Sequence, residues 1–161
     1  RMGIGDMIMF LPFIEAISKK FKTPVTILAK KNTKVEMYFN NKEIVEEIMY
    51  LEREDNKKHS GVKGFFKLVN ELKLKKFDKV FIFNSSLRYF LISKFSGIKE
   101  VFHYPLFKKR NQQIIEAAKE FTLKSIGEDI ESTPRLFLKE QDILKAKKDH
   151  SIDQSLSLIH I

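Results

Sequence analysis

The fold is decided by the stretch Asp78-Lys79-Val80-Phe81-Ile82-Phe83, which leads into Asn84-Ser85-Ser86. Its continuous apolar run predicts a strand that is buried on both faces, as in a parallel sheet. The polar residues that follow predict a turn. A helix is expected next, from about Leu87 to Phe95, because serines readily cap helix N-termini. Strand, turn and helix in this order form the repeating unit of an α/β fold.

The same alternation of strand and helix extends to both sides of this stretch. Further helices are predicted at Phe10–Phe21, Asn32–Phe39, Phe65–Leu74 and Gln112–Ile126. Further strands are predicted at Thr23–Ala29, Ile44–Leu51 and Glu100–Tyr104, with a last strand or extended connection at Arg135–Leu138. For Ile44–Leu51 a helix is the alternative, and the charged segment Glu52–Gly64 is expected to be an exposed loop. Together these elements predict one doubly wound parallel sheet, in which ligands bind at the carboxyl ends of the strands.

The N-terminal segment is where turn chemistry and a potentially reactive group coincide. Gly3 and Gly5 flank one residue, and Asp6 stands where an amphipathic segment begins. This layout is typical of a strand-to-helix turn that leaves backbone N–H groups and one carboxylate facing a ligand. A helix N-cap is the alternative for Asp6, and an ordinary tight turn is the alternative for the glycines. Because no apolar stretch precedes the turn, the first strand of the sheet is expected to be missing.

Composition limits the class of protein. The 161 residues are 43% hydrophobic and include 15 phenylalanines, which can supply a core. The absence of cysteine excludes a disulfide framework and a thiolate nucleophile, and the four scattered histidines offer no zinc-binding pair. The net charge of +9 comes mainly from lysine and indicates either phosphate-bearing partners or a generally solvated surface. The apolar segment Met7–Ile17 is too short to span a membrane.

Five short motifs follow one another over about residues 1 to 140. They are Arg1 with Gly5-Asp6 and Leu11-Pro12, then Phe77-Asp78 with Val80–Phe83, then Ser86-Leu87-Arg88, then Gly97 to Tyr104, and finally Thr133-Pro134-Arg135-Leu136. Their order and spacing resemble the heptosyltransferase family of bacterial glycosyltransferases, which build the inner core of lipopolysaccharide. The chain departs from the family at Ile82 and Asn84-Ser85, where the family often has an acid and a Gln-Gly pair.

The resemblance implies a glycosyltransferase of the GT-B architecture, which consists of two Rossmann-like lobes. Residues 1–150 would be the N-terminal lobe, which binds the acceptor. The nucleotide-sugar donor, typically ADP-heptose, would bind to the second lobe, so this fragment alone is expected to be inactive. The complete enzyme would transfer a heptose or related sugar with inversion to a lipid-linked, phosphorylated acceptor, without a metal or other cofactor. It would work in the cytoplasm, peripherally at the inner face of the bacterial inner membrane.

The resemblance also assigns roles to individual residues. Asp6 would be the catalytic base that takes the proton from the acceptor hydroxyl. Arg88 would anchor a phosphate or carboxylate of the acceptor, although an exposed helical arginine is the alternative from the residues alone. The full acceptor-binding set would be Gly3, Gly5, Ser85, Ser86 and Arg88. The triplet Lys108-Lys109-Arg110 is expected either to contact an anionic membrane surface or to lie in a solvated loop.

A function from another class is a non-catalytic, basic α/β module that binds nucleic acid or another polyanion. Such a module needs aromatic side chains exposed among lysines and arginines. The phenylalanines at helical spacing are instead expected in the core, as are His103 and Tyr104, so no nucleic-acid partner is expected. Residues 151–161 are expected to be a disordered or artefactual tail, since Leu156–Ile161 resembles a translated sequencing-library end.

Overall fold

The computed structural model describes residues 3–39, 41–104, 113–135 and 140–149. Within them the helices are α1 (Ile4–Phe21), α2 (Gly61–Lys75), α3 (Leu87–Phe95), α4 (Ile114–Ile126) and α5 (Glu140–Asp149). The strands are β1 (Val25–Ala29), β2 (Val45–Tyr50), β3 (Lys79–Ile82) and β4 (Glu100–His103). Two short 3-10 turns, Lys31–Thr33 and Val35–Met37, connect β1 to β2. The mixed order of helices and strands confirms the predicted α/β class.

The strands form two separate parallel pairs. β1 pairs with β2, placing Ile27 opposite Ile48, and β3 pairs with β4, placing Phe81 opposite Phe102. One continuous sheet was expected, but no ladder joins the two pairs within the described residues. The difference arises because strand periodicity is a property of one segment, whereas a ladder needs a neighbouring strand about 4.8 Å away.

Helices cover both faces of the β1–β2 pair. On one side Ile27 joins a core built around Phe13 of α1, which is fully buried. On the other side Leu28 packs against a second core, in which Leu68 of α2 is buried. One strand supplies both cores because successive side chains of a strand point to opposite faces. Full burial of such a side chain stabilises the fold by about 1.5–3 kcal/mol.

Aromatic contacts connect α1 to the second strand pair. The ring centroids of Phe21 and Phe81 lie 5.9 Å apart, and those of Phe10 and Phe83 lie 5.1 Å apart. α1 therefore contacts both strand pairs along its length. The prediction that β3 is buried on both faces is wrong, since only Ile82 is fully buried in it and its other residues are half-buried. A strand with one ladder partner in the described structure keeps part of its surface open.

Element boundaries follow local sequence signals with a few exceptions. α3 occupies the predicted residues, and α4 ends as expected before Gly127, whose φ of 73° suits a helix C-terminus. The short helix predicted at Asn32–Phe39 is replaced by the two 3-10 turns, and α5 was not predicted. α1 begins at Ile4, so the segment expected to be a strand-to-helix turn is the N-cap and first turn of a helix.

Some predictions concern residues outside the described structure. These are the motif position Arg1, the triplet Lys108-Lys109-Arg110, the segment Leu136–Leu138 and the tail 151–161.

Candidate functional site

Asp6 lies in the first turn of α1 and takes part in the capping of that helix. Its Oδ2 accepts a hydrogen bond from the backbone N–H of Gly3 at 2.8 Å, which is one half of a capping box. The other half is absent because Gly3 has no side chain. The carboxylate is half-buried, and its Oδ1 makes no hydrogen bond to the described residues. The N-cap of α1 is therefore Gly3 and not Asp6, which lies at the third helical position and accepts the Gly3 N–H through Oδ2, while Oδ1 is left for a ligand.

The two glycines beside Asp6 border open space. A Cβ built on Gly3 or Gly5 would meet no described atom within 4 Å. Gly3 has an extended backbone with φ −124°, so it has no need of the left-handed region. Packing within the described fold therefore does not require glycine at either position. The open surface over Gly5 leaves room for a ligand to approach the helix N-terminus, where backbone N–H groups favour anions.

The β3–α3 turn presents two hydroxyl groups. Ser86 is the N-cap of α3, yet its side chain makes no capping hydrogen bond. Asn84 closes the turn instead, since its Oδ1 accepts a hydrogen bond from the Ser86 N–H at 2.8 Å. Both serines lie just beyond the carboxyl end of β3, which ends at Ile82. Ser85 is exposed and Ser86 is half-buried. The predicted turn and helix start are confirmed.

Arg88 is engaged with α2. Its Nη2 donates to the carbonyls of Gly61 and His59 at 2.9 and 3.2 Å. Its guanidinium also lies 5.4 Å from the ring centroid of Phe65. The side chain therefore holds the loop before α2 to the start of α3. None of its described interactions is with the Asp6 carboxylate. Because both of its hydrogen bonds use Nη2, a direct contact with an acceptor would have to come from Nη1 or Nε.

Packing brings the Asp6 helix and the serine turn to one end of the fold. Phe10 lies one turn after Asp6, and its ring contacts Phe83, which immediately precedes Asn84. Phe83 in turn packs edge-on against Tyr104, at a centroid distance of 5.7 Å, just after β4. The N-terminus of α1 and the carboxyl ends of β3 and β4 thus share one region, as expected for a parallel α/β arrangement.

His59 is a buried polar residue whose burial was not predicted from the sequence. It is 1% exposed, although it lies in a segment predicted to be an exposed loop. Its Nδ1 accepts a hydrogen bond from the Glu52 N–H at 3.0 Å, so its Nε2 carries the proton that faces Glu71 Oε2 at 3.1 Å. Partial burial raises the pKa of Glu71, but hydrogen bonds from Lys58 and His59 outweigh this and lower it overall.

A glycine makes this burial possible. A Cβ on Gly64 would lie 2.1 Å from the carbonyl carbon of His59, far inside van der Waals contact. The loop can therefore pack against α2 only because position 64 lacks a side chain. In the sequence, Ser60-Gly61 is followed by a second glycine at position 64. A glycine at such a position indicates that another part of the backbone comes close to it, but it does not indicate that this part is His59.

Positive charge collects beside this loop. A surface cavity of about 480 Å³ at the start of α2 is lined in part by Lys57, Lys58, Lys63 and Lys67. Of these, Lys58 pairs with Glu71 at 2.9 Å. A larger cavity of about 760 Å³ lies beside the C-terminal end of α1, next to Lys22 and Thr23. The lining of this second cavity begins on α1 at Glu15, so the cavity starts roughly 14 Å from Asp6 along the helix axis.

His103 and Tyr104 pack in the interior, as expected. The His103 ring lies edge-on to Phe90, and Tyr104 contacts Phe121 at a centroid distance of 4.8 Å. Burial lowers the pKa of His103 and raises that of Tyr104. Neither His103 Nε2 nor the Tyr104 hydroxyl has a hydrogen-bond partner within the described chain, although both atoms are buried. These polar atoms lie at the same end of the strands as Ser85 and Ser86.

Within the described ranges, no group of three or more histidine, aspartate or glutamate side chains could hold a metal ion. No described helix has both the length and the apolar character needed to cross a membrane. Comparison with family models, curated proteins and solved structures finds no match to this chain.

Proposed function

We propose that this chain is the acceptor-binding, Rossmann-like lobe of an inverting GT-B glycosyltransferase similar to the heptosyltransferases. The observation that carries the proposal is the grouping of the α1 N-terminus with the β3–α3 turn. The contact of Phe10 with Phe83 supports this grouping, because Asp6 lies one turn before Phe10, and Ser85 and Ser86 follow Phe83 at the carboxyl end of β3, the edge at which α/β folds bind ligands. The order of the sequence motifs supports the same assignment.

In this proposal Asp6 is the general base. An acceptor hydroxyl enters over the open surface of Gly5 and comes within about 3 Å of Asp6 Oδ1. The hydroxyl oxygen attacks the anomeric carbon of the nucleotide-sugar, and the bond to the nucleotide diphosphate breaks with its electron pair. Asp6 takes the hydroxyl proton, while the Gly3 N–H keeps the carboxylate oriented through Oδ2. Inversion follows from this single displacement.

Positive charge near α2 suits a phosphorylated acceptor. Arg88 joins the start of α3 to the loop before α2, so it also positions the cavity that Lys63 and Lys67 line. We therefore assign Arg88 a positioning role, in addition to the acceptor contact expected from the sequence. The donor, ADP-heptose or a related nucleotide-sugar, binds to a second lobe, and the enzyme acts in the cytoplasm at the inner face of the inner membrane.

The test measures sugar transfer from ADP-heptose to a lipid A–Kdo acceptor by the two-lobed enzyme that this proposal implies. Asp6→Asn keeps an oxygen for the Gly3 N–H but removes the base, so we expect kcat to fall about 10²- to 10⁴-fold with little change in acceptor binding. Glu116→Gln is the matched control, since Glu116 also lies in the first turn of a helix. Full transfer by Asp6→Asn would reduce Asp6 to a helix cap.

A binding module for a polyanion is the second candidate. The observation that favours it is the lysine-lined cavity at α2, which needs no contribution from Asp6. Binding of a single-stranded oligonucleotide, measured by fluorescence anisotropy over a range of salt concentrations, distinguishes the two. Salt-dependent binding that Lys63→Gln and Lys67→Gln weaken, together with no transfer from any nucleotide-sugar, would favour the module.

A further inference from the structure

The outer surface of α2 and α3 exposes aromatic side chains that were expected to be core residues. Phe66 is 55% exposed and Phe95 is 63% exposed, which corrects the sequence-based expectation. Val62 lies one turn before Phe66 on α2, and Leu91 lies one turn before Phe95 on α3; both are exposed as well. We call Val62, Phe66, Leu91 and Phe95 the α2–α3 aromatic face.

The face is continuous across the two helices. The half-buried ring of Phe65 lies between them, at centroid distances of 5.2 Å from Phe66 and 6.0 Å from Phe95. The Ser96 hydroxyl lies between the two helices, 2.7 Å from the Ile92 carbonyl of α3 and 3.2 Å from the Val69 carbonyl of α2, and its single proton is shared between these acceptors. The exposed rings are therefore held on a rigid support.

Positive charge borders the face. Lys63 and Lys67 follow Val62 and Phe66 directly on α2, and Lys94 precedes Phe95 on α3. All three lysines are exposed. Glu71 is the single acidic residue of α2, and it is already engaged by Lys58 and His59, whereas α3 contains no acidic residue. Among the described residues, no ion pair engages Lys63, Lys67 or Lys94, so the surface combines apolar side chains with cations that have no acidic partner there.

From this combination we propose that the α2–α3 aromatic face docks onto an anionic lipid bilayer. Its apolar side chains would enter the boundary between headgroups and acyl chains, while the lysines remain at the level of the anionic headgroups. A second copy of the chain fits less well, because a two-fold contact would bring the lysines of both copies together. This is a different surface from the Lys108-Lys109-Arg110 triplet considered in the sequence.

Nucleic acid is disfavoured by the composition of the face. Single-stranded nucleic acid stacks its bases on aromatic rings, whereas two of the four exposed side chains of this face, Val62 and Leu91, are aliphatic. Aliphatic groups such as Val62 and Leu91 offer no stacking surface but partition readily into the membrane interface.

The inference deepens the proposed function by naming the surface that meets the membrane. Lys63 and Lys67 also line the cavity assigned to the phosphorylated acceptor, so Phe66 and Phe95, which have no part in the proposed transfer, test the docking separately.

The experiment is sedimentation of the 161-residue protein with vesicles of phosphatidylcholine, with or without phosphatidylglycerol. We expect binding to the anionic vesicles that far exceeds binding to the neutral ones. Each of Lys63→Gln and Lys67→Gln should lower the partition coefficient about fivefold. Phe66→Ser and Phe95→Ser should each lower it by a similar factor, since about half of each side chain is available to insert.

Matched controls remove equivalent groups elsewhere. Met37→Ser with Leu123→Ser removes exposed apolar side chains outside α2 and α3, and Lys30→Gln with Lys31→Gln removes two exposed charges. Circular dichroism verifies that each variant is folded.

The proposal is overturned if the wild-type protein does not bind anionic vesicles, or if the control variants lower vesicle binding as much as the variants of the α2–α3 aromatic face do. It is also overturned if the same variants abolish oligonucleotide binding and leave vesicle binding intact. A wild-type protein that shows Asp6-dependent sugar transfer but does not bind anionic vesicles would refute this inference alone.

Discussion

Replacement of Gly64 by alanine should destabilise this protein, although helix propensity at this position of α2 favours alanine. An alanine in a helix is favoured over glycine by about 1 kcal/mol. At position 64, however, the added Cβ would lie 2.1 Å from the carbonyl carbon of His59 and 2.6 Å from its oxygen. Since ordinary contact begins at 3.4 Å, the backbone of His59 must move by about 1 Å.

The movement breaks a small polar network. Overpacking costs about 1–3 kcal/mol, and leaving a buried hydrogen bond of His59 unmade costs about 1–3 kcal/mol more. The bonds at risk are those to Glu71 and to the Glu52 N–H, together with the Arg88 bond to the His59 carbonyl. After the helix-propensity gain of about 1 kcal/mol is subtracted, we expect Gly64→Ala to lower the free energy of unfolding by about 1–5 kcal/mol.

The assay is urea unfolding followed by circular dichroism, with the free energy obtained by linear extrapolation. Gly5→Ala is the matched control, because position 5 is also helical but a Cβ there meets no described atom within 4 Å. It should raise the free energy of unfolding by about 0.5–1 kcal/mol. A Gly64→Ala protein as stable as the wild type would refute the reasoning, since the close approach of His59 would then not exist in solution.

Three further predictions concern single side chains. The folded-state pKa of Glu71 lies below its ordinary value, so its contribution to stability is present above about pH 4.5 and is lost as the pH falls through the lowered pKa. Glu71→Gln should therefore flatten the acid limb of a stability–pH curve, and an unchanged limb would contradict the pairing with Lys58 and His59. Tyr104→Phe removes a buried hydroxyl without a described partner and should raise the free energy of unfolding by up to about 1 kcal/mol in urea titrations; a loss of 1 kcal/mol or more would indicate that the hydroxyl is bonded. Under the proposed transferase function, Gly5→Ala should weaken binding of a lipid A–Kdo acceptor in isothermal titration calorimetry while leaving the fold intact, and unchanged affinity would exclude ligand approach over position 5.

Local elements were predictable where the signal lies within a few residues. The turn Asn84-Ser85-Ser86 and the helix Leu87–Phe95 were placed correctly, because capping and turn chemistry act between near neighbours. The end of α4 at Gly127 follows for the same reason. The candidate site was predictable only as a set of segments. That α1 and the β3–α3 turn share one end of the fold depends on the contact of Phe10 with Phe83, which are distant in sequence.

The sequence by itself determined the α/β class, the order of most elements and the presence of excess positive charge, because periodicity, turn residues and composition are local properties. Only the tertiary structure decided that His59 is buried, that Phe66 and Phe95 are exposed, and that the strands form two pairs. Helical spacing shows that apolar residues share a face, but a neighbouring element must be present to cover that face. For α2 and α3 the described neighbours cover Leu68 and Ile92 and leave the outer rings in solvent.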